Sequence, residues 1–184
     1  MTKNLPRYEC LLTAAQEMPD LDPSACAVFL LLLRAGDEVF SVVERNLLRH
    51  HVSQGRFSVL MQLWGGSVAR RTEAARGDCH PAGPRTPAEL ADAAGVTRAT
   101  MTGLIDTLER DDFVKRVPDP KDRRMLSVVL TAKAERFLHG MLPAHFQLMA
   151  ALMCTLDESE RRTLGKLLNK VVEQATRLSA ESAA

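Results

Sequence analysis

Apolar residues recur at threes and fours between positions 22 and 51. Val28, Leu31, Leu32, Ala35, Val39, Val42, Val43 and Leu47 share one broad face, and Pro23 suits a first helical turn. This spacing predicts one long amphipathic helix. Ser53 is placed to cap a second helix reaching Trp64, in which Phe57, Leu60, Met61 and Trp64 again fall on one side. Gly65-Gly66 is a stop signal. The stretch 65–85 carries Gly, Pro and Arg with almost no large apolar residue, so it reads as a long mobile loop.

Thr86-Pro87-Ala88-Glu89 then opens a helix: a threonine cap, a proline at the first helical position, and a glutamate placed to close a capping box. This helix runs to about Ala94. Gly95 makes the turn, and Thr97 caps a further helix that continues to about Asp111. Two short helices joined by a glycine turn form a helix-turn-helix. Met101, Leu104, Ile105 and Leu108, with Val96 just before them, face Leu90, Ala91 and Ala94 across the pair. Phe113 to Val117 and Met125 to Leu130 are rich in β-branched and apolar residues and predict a hairpin with a charged tip from Pro118 to Arg124.

Thr131 is placed to cap a helix that Gly140 and Pro143 interrupt or kink before it resumes through Leu152. Asp157 to Glu160 forms another capping box. Leu164, Leu167, Leu168, Val171, Val172, Ala175 and Leu178 make a long stripe behind it, and the chain frays from about Ser179. The predicted fold class is mainly α with a small β-hairpin wing.

Packing the helix-turn-helix through its apolar residues leaves Arg98, Ala99, Thr100, Thr102, Gly103, Asp106 and Arg110 outside. A helix enters a major groove only if its leading face is slim. Here Ala99 and Gly103 give clearance, while Arg98, Thr100 and Thr102 bring groups that read base edges or hold phosphate. The first turn adds backbone donors suited to a phosphate. Lys121, Arg123 and Arg124 at the hairpin tip are placed for the neighbouring minor groove, Asp122 is available to hold Arg124, and Lys115 and Arg116 begin the strand leading there. A threonine-rich surface helix or a solvated charge run is the ordinary reading of either feature alone. Their order along the chain is more specific and points to DNA.

Composition changes this picture little. The 184 residues are 46% hydrophobic, enough for a core of ordinary size, and the net charge of +1 gives no global pull toward nucleic acid. Affinity for DNA must come from local placement of Arg and Lys. The longest apolar stretch, Ala25 to Leu33, is too short to span a bilayer, and Met1 to Tyr8 shows no export leader, so a cytoplasmic protein with no membrane partner is expected. Cys10, Cys26, Cys79 and Cys154 are scattered as reduced thiols would be. Cys26 and Cys154 sit in apolar helical contexts where cysteine packs as a small hydrophobe. The histidines show no metal-ligand spacing, and no nucleophile motif, phosphate loop or zinc helix marks an enzyme; no cofactor is expected.

From Val52 to Lys133, the loop excepted, the chain resembles the MarR family of winged helix-turn-helix transcriptional regulators. Leu108-Glu109-Arg110-Asp111-Asp112-Phe113-Val114-Lys115-Arg116, Asp119-Pro120-Lys121-Asp122-Arg123-Arg124 and Val129-Leu130-Thr131 carry the resemblance. It implies a single unit over 1–184, with a winged helix-turn-helix lobe at 53–131 and a helical dimerisation part at 22–51 and 132–178. It further implies a homodimer on a pseudo-palindromic double-stranded operator. Arg98 to Gly103 would contact the major groove, Arg124 would enter the minor groove and Asp122 would brace it. Two departures stand out. Asp112 replaces a frequent glycine, although Asp tolerates the left-handed backbone, and the 65–85 loop is longer than the family's usual connection.

The same resemblance implies a repressor released by a small aromatic or phenolic ligand lodged near Arg34, Arg45, His51, Arg56 and Trp64. A thiol-based redox sensor of the same fold is the alternative, with Cys10 or Cys26 as its thiol, although Tyr8 is the only tyrosine available to help. A winged-helix protein-interaction module without DNA binding is the other.

Overall fold

The computed structural model describes residues 5–71, 85–118 and 124–182. The chain divides into two compact units, Met1–Met141 and Leu142–Ala184.

The first helix, α1 (Tyr8–Glu17), has no counterpart in the sequence reading. Its N-cap Arg7 makes no side-chain cap and Leu11 is its one buried residue, so neither a start signal nor an apolar stripe announces it. α2 (Pro23–Arg49) opens as expected, with the Asp22 carboxylate accepting from the amides of Ser24 and Ala25. These bonds, the Ala25 amide foremost and then the Ser24 hydroxyl and amide, hold Asp22 below the usual carboxylate range. Among the described residues the apolar face of α2 is only partly covered: Val28, Phe29 and Leu31 are more than half exposed, Leu32, Val42 and Val43 are half-buried, and Leu47 is buried.

His51 and Asp112 are the described non-glycine residues with positive φ, at 56° and 59°. At Asp112 this is the left-handed turn the sequence allowed. α3 (Gln54–Arg71) corrects the expected stop at Gly65-Gly66, because the helix continues through both glycines. A glycine costs an interior helix only about 1 kcal/mol and ends it only when the backbone turns left-handed, which among described glycines happens at Gly95 alone. The expected loop is also shorter at its far end, where the backbone of Arg85 pairs with Val128. Residues 72–84, with Cys79, lie outside the described residues.

α4 (Pro87–Ala94) and α5 (Arg98–Arg110) match their signals closely. Thr86 and Glu89 form the capping box, Gly95 turns at φ 63°, and the Thr97 hydroxyl accepts from the Thr100 amide. Leu90, Ala91, Met101, Ile105 and Leu108 are buried, as are Val59, Leu60 and Leu63 of α3, which contacts both helices. Val96, expected with this face, is 37% exposed. β1 (Val114–Pro118) pairs antiparallel with β2 (Leu126–Leu130), Val114 opposite Leu130 and Pro118 opposite Leu126. The Val128 amide donates to the Arg85 carbonyl at 2.7 Å, so the segment entering α4 forms a short third edge of the wing.

Thr131 caps α6 (Ala132–Leu152) through the Ala134 amide. This helix is continuous, correcting the interruption expected at Gly140 and Pro143. Proline here forfeits one backbone bond, which twenty-one residues of helix absorb. Cys154, expected to pack as a helical hydrophobe, is instead exposed in the turn after α6. α7 (Glu158–Glu181) starts at the Asp157–Glu160 capping box, and none of its residues is buried. No helix among the described residues is long and apolar enough to cross a membrane.

Candidate nucleic-acid interface

α5 holds its place by burying Met101, Ile105 and Leu108, which turns Arg98, Ala99, Thr100, Thr102 and Gly103 to solvent. All five are exposed, as the periodicity required. The Thr97 hydroxyl takes up the Thr100 amide, leaving the first amides of the helix, at Arg98 and Ala99, directed outward as donors. Thr102 donates its hydroxyl to the Arg98 carbonyl at 2.9 Å, so its oxygen presents lone pairs outward. A Cβ placed on Gly103 would meet nothing within 4 Å. Glycine is therefore not required there by the fold.

Beside this face lies an open recess of about 450 Å³. Arg98 and Thr102 of α5 form one wall, Arg124 to Leu126 of the wing another, and Thr86 to Ala88 at the start of α4 its floor. The structure thus brings together Arg98, Thr102 and Arg124, which are far apart in sequence. No carboxylate is among the described residues lining it. Lys115 is exposed on β1 but does not line the recess. Lys121, Arg123 and Asp122, the rest of the expected wing contact and its support, lie outside the described residues.

Arg116 plays a part that the sequence reading missed. Its guanidinium pairs with Asp106 of α5 at 2.6 Å and also with Glu109, and its amide donates to Glu109 Oε1. The bond to Asp106, with the nearby negative charge of Glu109, raises its pKa above the ordinary arginine value. Arg116 therefore fastens β1 to the recognition helix and neutralises that helix's two acids. Asp106 and Glu109, three apart on α5, were the available signal, because paired acids on one helix face favour a cationic partner.

The five residues expected around an effector are not gathered in one place. His51 and Arg56 line a second recess near the end of α5, which Arg34, Arg45 and Trp64 do not line. Arg34 and Arg45 are exposed on α2, and Trp64 is half-buried on α3. Arg56 is already ion-paired with Asp111. Of the two candidate redox thiols, Cys10 is exposed on α1 and Cys26 is half-buried in the first turn of α2. Among the described residues, no group of three or more His, Cys, Asp or Glu is placed so that it could hold a metal ion.

The sequence profile of the MarR family matches residues 78–126, the span of the helix-turn-helix and much of the wing. The HTH-type transcriptional repressor YetL of Bacillus subtilis strain 168 is 30% identical over 172 residues, covering 94% of this chain and 95% of the relative. Among solved structures, the transcriptional regulator PA3341 superposes with a TM-score of 0.65 at 25% identity, over 82% of this chain and 98% of that one. BpsR of Bordetella bronchiseptica, whose DNA binding is regulated by 6-hydroxynicotinic acid, has a TM-score of 0.62 at 23% identity, over 79% and 92%.

Proposed function

Since the chain belongs to the MarR family of helix-turn-helix transcriptional regulators, we propose that it acts as a homodimeric repressor on a pseudo-palindromic duplex and is released by a small ligand. The observation that carries the DNA reading is the recess that brings Arg98 and Thr102 of α5 together with Arg124 of the wing. Arg98 to Gly103 enter the major groove, with Arg98 reading a guanine edge and the outward amides of the first turn holding a phosphate. Arg124 reaches the adjacent minor groove, with Lys115, Lys121 and Arg123 along the backbone and Asp122 bracing the wing.

Dimerisation is supported by apolar residues that stay exposed on two long helices among the described residues. On α2 these include Val28, Phe29 and Leu31; on α7, Leu167, Val171 and Val172 are each about half exposed or more. Stripes of this kind on long helices are faces that a second copy covers. Ligand release is supported by YetL being a named repressor and by BpsR showing that a protein of this fold couples a small molecule to DNA binding.

The test is selection of bound duplexes from a random pool at two salt concentrations, with wild type, Arg98→Ala and Arg124→Ala. A palindrome enriched by wild type and not by the variants supports the reading. No enrichment at either salt overturns it in favour of a protein-interaction module.

A further inference from the structure

The recess near the end of α5 is built differently from the DNA-facing one. It encloses about 460 Å³, and seven of its eight lining residues are ionisable, Phe113 being the exception. Such a lining suits a polar ligand better than a greasy one. Three permanent cations, Arg56, Arg110 and Lys133, outnumber the carboxylates of Asp111 and Asp112, and the His50 and His51 side chains add further donors. Arg110 is exposed, and its side chain makes no ion pair or hydrogen bond among the described residues. The Nε of Arg56 is buried and has no partner.

Asp111 joins three elements at this point. Its carboxylate pairs with Arg56 of α3, its carbonyl accepts from Lys133 of α6 at 2.6 Å, and its amide donates to Thr107 within α5. Arg56 and Lys133 also sit over the Phe113 ring, at 5.9 and 5.2 Å. The C-terminus of the recognition helix is thus anchored by the very cations that line the recess. An anion entering there competes with Asp111 for both and loosens that anchor, at about 20 Å along the helix axis from Arg98 (thirteen residues at roughly 1.5 Å each).

We infer that this recess binds a small polar anion, a polycarboxylate or a phosphate compound, through Arg110, Lys133 and Arg56, and that its occupancy weakens DNA binding through the Asp111 anchor. This deepens the repressor reading and rests on it for the DNA-linked half. Binding and DNA affinity are thermodynamically coupled, with a factor of roughly five to ten expected from the usual range of such couplings.

The experiment uses the full-length protein and two probes, citrate and inorganic pyrophosphate, each titrated by calorimetry with ionic strength held constant by NaCl. The supporting result is saturable binding of one anion per chain by either probe. Arg110→Gln with Lys133→Gln would weaken it at least tenfold, and Asp111→Asn, which removes the internal competitor, would tighten it. Saturation by citrate alone marks a carboxylate site, and by pyrophosphate alone a phosphate site. Absence of saturable binding by both, or binding unchanged in the Arg110/Lys133 variant, overturns the inference. DNA affinity of the wild-type protein, read by fluorescence anisotropy at the same ionic strength, is expected to fall roughly five- to tenfold when the anion is saturating, and an unchanged affinity overturns the coupling. Failure of wild type to bind any selected duplex sinks the repressor reading instead and leaves the calorimetric result standing.

Discussion

Gly103 separates what the fold needs from what DNA needs. It is exposed in the middle of α5, and an added Cβ would meet nothing within 4 Å, so Gly103→Ala introduces no clash in the free protein. Alanine is the better helix former by about 0.8–1 kcal/mol, because glycine loses more backbone freedom on folding. The variant should therefore be more stable, with a Tm higher by roughly 2–4 °C for a chain of this size at fixed protein concentration. On DNA the sign reverses. The same methyl would stand where the helix approaches base edges, and overpacking a close contact costs about 1–3 kcal/mol, a weakening of the order of tenfold or more. Thermal melting and anisotropy titration on a selected duplex measure both halves. A variant that melts higher yet binds as tightly as wild type would show that Gly103 does not face the groove, and one that melts lower would contradict the open position on α5.

Other perturbations probe the surrounding structure. Arg116→Gln should cost about 1 kcal/mol in chemical denaturation, since its carboxylate partners are substantially exposed; it should weaken DNA binding as well, because two freed carboxylates then repel phosphate. Unchanged DNA affinity would argue that the brace is structural only. Leu167→Arg, at a half-exposed position on α7, should raise the dimer Kd at least a hundredfold: losing about 1.5–3 kcal/mol of burial in each of two copies amounts to about 3 kcal/mol or more. Sedimentation velocity reads this, and an unshifted dimer would move the interface elsewhere. Burial holds the His145 pKa below its ordinary value near 6.5, so the unfolded chain takes up the proton first. Its contribution is complete above the unfolded pKa and is lost as pH falls toward the folded one; Tm should drop between pH 7 and 5, and less in His145→Gln.

The lobe that meets DNA was legible because its signals are local. Thr86, Glu89 and Thr97 fix two helix starts by side-chain bonds within three residues, and the two hairpin strands are marked by their β-branched and apolar residues on either side of a charged tip. What the sequence hid depended on distant partners. Arg85 reads as one more loop arginine, yet it is buried by a backbone bond to Val128 and a side-chain bond to Gln62 at 3.1 Å. Gly65-Gly66 resembles a terminus, but glycine is permissive in either conformation. The faces of α2 and α7 were legible as apolar while their covering was not, because periodicity says that a face is buried without saying by which chain.

The net charge of +1 no longer argues against a DNA-binding surface once the pairing is known. On the recognition helix the acids Asp106 and Glu109 are taken up by Arg116, and Asp111 is taken up by Arg56. Arg98 of the same helix and Arg124 of the wing line one recess. A nearly neutral chain can thus carry DNA-facing cations on this helix, because the acids at its C-terminal end, Asp106, Glu109 and Asp111, are held by Arg116 and Arg56. Affinity built this way depends on geometry as well as charge. Replacing Arg116 with lysine keeps the net charge but loses the forked contact to two carboxylates, so it should weaken DNA binding in the same direction as glutamine, by a smaller factor.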